Sequence, residues 1–278
     1  MRFFPFYAIF TLGLSLGLSP LAAAADGGWQ NHQGFLQTRV IAASMQMKED
    51  GKHMLAWEAK LAPGWKTYWR SPGEAGLPVR VFVGKKQQEI LYPLPARFEL
   101  FGLQTYGYSK YVMLPFQVDE NSINSRDAIE VDFMVCKEIC VPFRASYTLS
   151  PDALSEESSI HDGGIKRWLD TVPATEGGDG AGLDVISAKV VGPLGHQKII
   201  VDVKASHSLD AADMLAEVND MFHFGKPKMR LLADGKSARF VLPAMTGKKP
   251  QSLKGLKVRL TFTDGKGASV ERHFNLSR

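Results

Sequence analysis

Ile129-Glu130-Val131-Asp132-Phe133-Met134-Val135-Cys136-Lys137-Glu138-Ile139-Cys140-Val141-Pro142-Phe143-Arg144-Ala145-Ser146-Tyr147-Thr148-Leu149 is the stretch that decides how this chain is read. Ile129, Val131, Phe133 and Val135 alternate with polar or flexible residues, and Val141, Phe143, Ala145, Tyr147 and Leu149 repeat the pattern. A period of two is the mark of a half-buried strand. Between the two runs stand Cys136 and Cys140, separated by Lys137, Glu138 and Ile139. Three intervening residues suit a hairpin loop, whose ends lie close enough for the roughly 5.5–6 Å Cα separation usual in a disulfide. Helical i,i+4 spacing would also bring the sulfurs together, but the flanking strand patterns favour the hairpin. The alternation sets Cys136 on the face opposite Val131 and Val135.

Similar signals extend outward from this hairpin. Strands are expected at Phe35 to Ala43, at His53 to Leu61 (with Leu55, Trp57, Ala59 and Leu61 on one face), at Leu77 to Val83 and at Tyr111 to Phe116. Short alternating runs punctuated by Gly and Pro predict an all-β fold, a β-sandwich of immunoglobulin-like type carrying the Cys-x-x-x-Cys hairpin. The character changes near Pro151. Helical pieces are expected at Pro151 to Glu157 and Ile165 to Val172, followed by a Gly-rich linker from Thr175 to Gly182. Strand patterns resume at Leu183 and recur to Leu276, with a helical window at Asp210 to Val218. The organisation read from this is a leader over residues 1–25, a β-sandwich with the cysteine pair over 26–150, a helical and linker segment over 151–182, and a second β-rich, sandwich-like domain over 183–278.

The leader reading rests on Arg2, an apolar run from Phe3 to Leu21 and the small-residue exit Ala22-Ala23-Ala24-Ala25, the pattern of a cleaved secretory signal peptide. No later stretch approaches the roughly 18 apolar residues of a membrane-spanning helix. The expected location is periplasmic. The formal charge of +4 is mild, and Lys85-Lys86 and Lys248-Lys249 are isolated pairs, which argues against a nucleic-acid surface. The seven histidines are scattered, His207 and His223 among them, so no metal set is read. The glycines from Gly177 to Gly182 lack the Lys-Ser/Thr ending of a phosphate loop.

The chain has two cysteines, and an exported chain places them in an oxidising compartment. A chain this long buries a core without staples. Spacing alone leaves two readings open: a thiol–disulfide exchange site, or a structural disulfide in a non-enzymatic interaction protein. Exchange requires a thiolate and an accessible sulfur. Lys137 favours the thiolate and Glu138 opposes it. A third reading is Cu(I) handling by the reduced pair with a methionine such as Met134, since soft sulfur ligands suit that ion.

Further motifs bear on this choice. Pro63-Gly64-Trp65-Lys66-Thr67-Tyr68-Trp69-Arg70-Ser71-Pro72-Gly73-Glu74-Ala75-Gly76-Leu77-Pro78, Tyr92-Pro93-Leu94-Pro95-Ala96-Arg97-Phe98, Tyr106-Gly107-Tyr108 and Val135 to Pro142 occur in that order. Together they resemble the N-terminal periplasmic domain of the DsbD/ScsB group of protein-disulfide reductases. Phe222-His223-Phe224-Gly225-Lys226-Pro227 resembles a downstream segment of ScsB-like members. The resemblance implies a sandwich domain that takes electrons from a membrane-embedded donor and passes them to periplasmic thioredoxin-fold proteins. It implies Cys136 and Cys140 as the redox-active pair, with Cys140 forming the mixed disulfide and Cys136 resolving it. It also implies a cap at Phe98-Glu99-Leu100-Phe101-Gly102, with Leu100 and Phe101 as shielding side chains and Trp65, Tyr68 and Trp69 as candidates to line the site. Plain core packing is the alternative role for these aromatics. No cofactor beyond the disulfide and no small-molecule substrate is implied. Full reductases of this group also carry a multi-span membrane domain, absent from this sequence, so the donor is expected to be a separate protein.

Overall fold

The computed structural model describes residues 28–123, 127–150, 152–219, 222–245 and 250–277. The expected leader (1–25) and Lys248-Lys249 lie outside the described residues. Two β-sandwiches follow one another along the chain. The first contains β1 (Gln30–His32), β2 (Leu36–Ala42), β3 (Lys52–Leu61), β4 (Lys66–Gly73), β5 (Arg80–Val83), β6 (Lys86–Gln88), β7 (Ala96–Leu100), β8 (Leu103–Ser109), β9 (Tyr111–Asp119), β10 (Ile129–Cys136) and β11 (Cys140–Tyr147). One sheet has the order β1-β2-β3-β9, and the other runs β6-β5-β10-β4-β8-β7 with β11 on the free side of β10. The two inner faces meet in one core that includes Leu55, Trp57, Leu114 and Phe116 from the first sheet and Val131, Phe133, Val135 and Trp69 from the second. This is the all-β, immunoglobulin-like architecture that the alternation predicts.

The hairpin β10–β11 pairs residue by residue from Ile129↔Tyr147 to Cys136↔Cys140. On its other side β10 is shared. β5 pairs with its first half, and β4 takes over at the end, with Val135↔Thr67 and Cys136↔Lys66 as register pairs. β4 in turn lies unusually close to β8. A Cβ added at Gly107 would sit 2.0 Å from the Thr67 carbonyl oxygen, so only glycine permits this approach.

In β3, residues Met54 to Ala59 are buried on both faces, not on one. The inward face carries Leu55, Trp57 and Ala59, as the alternation predicts. The outward face carries Met54 and Ala56, which pack with Ile41, Met113 and Ile165 beneath the helix α1 (Asp162–Leu169). That helix overlaps the expected piece at Ile165 to Val172 but starts three residues earlier. It docks on the outer face of the first sheet, with the Asp162 carboxylate accepting the Ser44 backbone N–H at 2.8 Å.

The second sandwich contains β12 (Leu183–Val191), β13 (Lys198–Ala205), β14 (Asp213–Glu217), β15 (His223–Phe224), β16 (Lys228–Leu231), β17 (Ser237–Met245), β18 (Lys257–Thr263) and β19 (Ser269–Asn275). Its sheets are β12-β13-β17-β15, with β16 beside β17, and β14-β18-β19. Ile199, Val201, Phe240 and Leu242 from one face Met214, Leu260, Phe262 and Val270 from the other.

Two helical expectations are corrected. Residues 152–155 form a turn, with the Ser155 N–H donating to the Asp152 carbonyl at 2.9 Å, and 156 and 157 are not helical; Pro151 lies outside the described residues. Asp210 to Val218 contains a strand, β14, paired with β18 from Asp213↔Thr263 to Glu217↔Arg259. Met, Leu, Ala and Glu favour helix in isolation. Here Met214 and Leu215 are both buried, one in each sandwich core, and the ladder with β18 overrides local preference.

Candidate functional site

Cys136 and Cys140 are joined by a disulfide, with Cα atoms 4.1 Å apart. The two ends of the bond differ. Cys136 is fully buried and Cys140 is exposed at the hairpin tip. The strand period explains this. Val131, Phe133 and Val135 point into the sandwich core, while Cys136, one residue further, turns to the outer face of the sheet. There it joins a separate cluster with Tyr68 and Leu100, against which Phe98 and Met134 also pack.

This cluster is assembled by three strands. β10 brings Met134 and Cys136. β4, paired with it, brings Lys66 opposite Cys136 and, two residues on and so on the same face, Tyr68. β7, the outermost strand of the sheet, brings Phe98 and Leu100. β7 and β8 form a hairpin with Leu100↔Leu103 as the last pair, leaving a two-residue loop of Phe101 and Gly102. Both loop residues have positive φ (53° and 79°), as expected of a type I′ turn. The hairpin thus lies as a lid over the buried sulfur.

Among the residues expected at the site, the structure gathers Cys136, Tyr68, Phe98 and Leu100. Phe101 is not among them. It is 66% exposed at the turn, on a left-handed backbone. Glu99 is exposed on the far face of β7. Trp65 stacks on Phe35 with ring centroids 4.2 Å apart and belongs to the margin of the sandwich core. Sequence reasoning missed Lys66 as a site residue and considered Met134 only for metal binding. The ammonium of Lys66 sits 4.5 Å from the centre of the Phe98 ring, a cation–π contact at the edge of the lid. Its signal was present: Lys66 and Tyr68 are two apart on one strand.

Electrostatically the site is cationic around an apolar floor. Burial pushes the Tyr68 phenol up to about 12, so it stays protonated, and its hydroxyl has no hydrogen-bond partner among the described residues. Lys66 and Lys137 supply positive charge near the pair, Glu138 negative charge at the tip. A cavity of about 720 Å³ lies elsewhere, between the two sandwiches, with Arg70, Gly76, Phe222 and His273 in its walls.

Residues 33–151 match the family model described as thiol:disulfide interchange protein DsbD, N-terminal. The first sandwich is a DsbD N-terminal domain. That match covers the first sandwich, 119 of the chain's 278 residues. Residues 171–278 match a model described as a domain of unknown function (DUF8393). No curated protein sequence matches the chain. Among solved structures, the crystal structure of the N-terminal periplasmic domain of ScsB from Proteus mirabilis is similar, with a TM-score of 0.75 and 20% identity over 92% of this chain and 99% of that one. At that identity the likeness is one of fold, and it extends across both sandwiches. Among the described residues no helix is long and apolar enough to cross a membrane.

Proposed function

We propose that this protein is a periplasmic thiol–disulfide exchange protein that relays electrons through Cys136 and Cys140, from a membrane-embedded reductase to thioredoxin-fold proteins. The observation that carries the reading is the asymmetry of the disulfide, with Cys140 exposed at a hairpin tip and Cys136 buried under a lid. Exchange needs one accessible cysteine and a second that closes the bond behind it, and this arrangement offers both.

Exchange runs in two halves. A donor thiolate attacks Sγ of Cys140, the Cys136–Cys140 bond breaks, and Cys136 leaves as a thiolate. The donor's second thiol then displaces Cys140, so the donor is oxidised and the pair holds two electrons. In the second half, the Cys140 thiolate attacks the acceptor's disulfide and forms a mixed disulfide. Cys136 then attacks Sγ of Cys140, which restores the internal bond and releases the reduced acceptor. Lys66, opposite Cys136, favours the leaving thiolate. The lid holds Cys136 in apolar surroundings, which disfavours its leaving as a thiolate until a partner displaces the lid.

Trapping tests this. The Cys136→Ser variant, expressed in the periplasm, is expected to accumulate a disulfide-linked complex with a thioredoxin-fold protein through Cys140. An intact pair that stays oxidised against reduced thioredoxin-fold proteins, together with no trapped complex, would sink the reading in favour of a structural disulfide. The packing of Met134 beside Cys136 supports a second reading, Cu(I) handling. Anaerobic titration of the reduced protein tests it, and the absence of binding at micromolar Cu(I) removes it.

A further inference from the structure

The lid hairpin has two faces, and they are held by different domains. Along β7 the side chains alternate. Phe98 and Leu100 point to the Cys136 cluster, and Arg97 and Glu99 point the other way. Across the ladder, Arg97 pairs with Tyr106 and Glu99 with Gln104, so Tyr106 and Gln104 share that second face. It is this face that meets the second sandwich.

The contacts are specific and polar. Arg97 holds Asp213 of β14 in a fork: Nε donates to Oδ2 at 3.2 Å, and Nη2 donates to Oδ1 and Oδ2 at 3.1 Å each. The same Nη2 donates to the Met214 carbonyl at 3.2 Å. Arg97 Nη1 donates to the Tyr106 hydroxyl at 2.8 Å, and the guanidinium lies 4.9 Å from the centre of that ring. Gln104 Nε2 donates to the Phe224 carbonyl of β15 at 3.1 Å. A forked arginine–carboxylate pair fixes direction as well as distance.

We infer that the second domain clamps the lid, with Asp213 and the Phe224 carbonyl gripping Arg97 and Gln104 so that they set how readily Phe98 and Leu100 lift from Cys136. The mechanical reason lies in the hairpin. A two-residue type I′ turn matches the twist of its strands and leaves no slack at the tip. The lid therefore opens by moving β7 and β8 together, and that motion strains the contacts on their other face. Arg97 is adjacent to Phe98, so release of the fork acts directly on the shielding ring. Arg97 and Asp213 are positioning residues in this scheme and touch neither sulfur.

The inference rests on the exchange reading only in giving lid motion a purpose, and its test is separate. The full chain is reduced with excess dithiothreitol, whose thiolate attacks Sγ of Cys140, expels Cys136 and ends as the cyclic disulfide. The rate is followed in the wild type, Arg97→Ala, Asp213→Ala, both together, and the charge-exchanged Arg97→Asp/Asp213→Arg. Asp210→Ala is the control, since Asp210 forms a comparable ion pair with Lys266 at 2.6 Å away from the lid. Each single variant is expected to be reduced about tenfold faster, equivalent to about 1.4 kcal/mol. The double variant should be no faster than the singles, the exchanged pair should return toward the wild-type rate, and Asp210→Ala should match wild type. Single variants that are folded by circular dichroism yet reduced at the wild-type rate overturn the inference, as does an equal acceleration in Asp210→Ala. Failure to trap a thioredoxin-fold partner would sink the proposed function and leave these rate ratios readable.

Discussion

Lys66 is the cross-strand partner of Cys136, at the point where β4 takes over from β5 along β10. Side chains directly opposite on one face of an antiparallel pair have Cβ atoms roughly 4.5–5.5 Å apart. A lysine there, with its ammonium at the lid ring, is an electrostatic neighbour of the sulfur that leaves as a thiolate.

Removing that charge should therefore raise the thiol pKa of the reduced pair. In Lys66→Met the thiolate is expected to form at higher pH than in the wild type, because an opposite charge nearby favours the ionised thiol. Lys66→Arg should retain most of the wild-type value. Thiolate absorbance followed against pH measures both. Identical titrations in Lys66→Met and wild type would show that Lys66 does no more than cover Phe98.

The two lid residues expected to shield should part company on substitution. Leu100 is 6% exposed and packs on Cys136, so Leu100→Ala should cost about 2 kcal/mol, the low end for truncation in a core, and speed reduction by small thiols. Phe101 holds a left-handed backbone at φ 53°, which costs a side chain about 1 kcal/mol or more. Phe101→Asn, a residue tolerant of that conformation, should leave stability unchanged or raise it by roughly 0.5 kcal/mol and leave the reduction rate near wild type. Urea denaturation with parallel thiol kinetics separates the two. A large acceleration in Phe101→Asn would restore Phe101 as a shield.

A pH effect is expected from His32. Its ring packs edge-on against Phe133 and Phe143 at 5.2 and 5.3 Å, and Nε2 is hydrogen-bonded with the Thr38 hydroxyl at 2.7 Å. Burial lowers its pKa below the ordinary histidine value. The unfolded chain then binds the proton more readily, so the stability this neutral ring contributes is complete above about pH 6.5 and is lost as pH falls toward the folded value. Denaturation midpoints at pH 7.5 and 5.5 should fall for the wild type and fall less for His32→Gln. His53 is shifted the same way by burial and by Lys48, and it supplies a background common to both proteins. Equal slopes would exclude His32 as the source.

Much of the first sandwich was legible because its signal is local. The alternation across Ile129 to Val135 and Val141 to Leu149 required a hairpin, and it also placed Cys136 on the face away from Val131 and Val135. Where the sequence misled, contacts distant along the chain had outweighed local preference. Met54 and Ala56 looked like outward positions, yet α1 covers them. Asp213 to Glu217 had helix-forming composition, yet β18 holds it extended. Phe101, a shield by what the cap resemblance implies, sits in the turn set by the register of β7 on β8 and is 66% exposed.

The sequence by itself determined that two cysteines meet at a hairpin tip in an all-β domain, because a period of two and a three-residue gap are properties of neighbouring residues. Only the tertiary structure decided that Cys136 is buried and Cys140 exposed. That division depends on β4 and β7, dozens of residues away in the chain, being laid beside β10 by the sheet. The same holds for Arg97 and Asp213, which sit 116 positions apart and meet only because two separately closed sandwiches dock along the lid. Burial and ion pairing depend on what is brought near, and nearness between such positions is set by the packing of the whole fold.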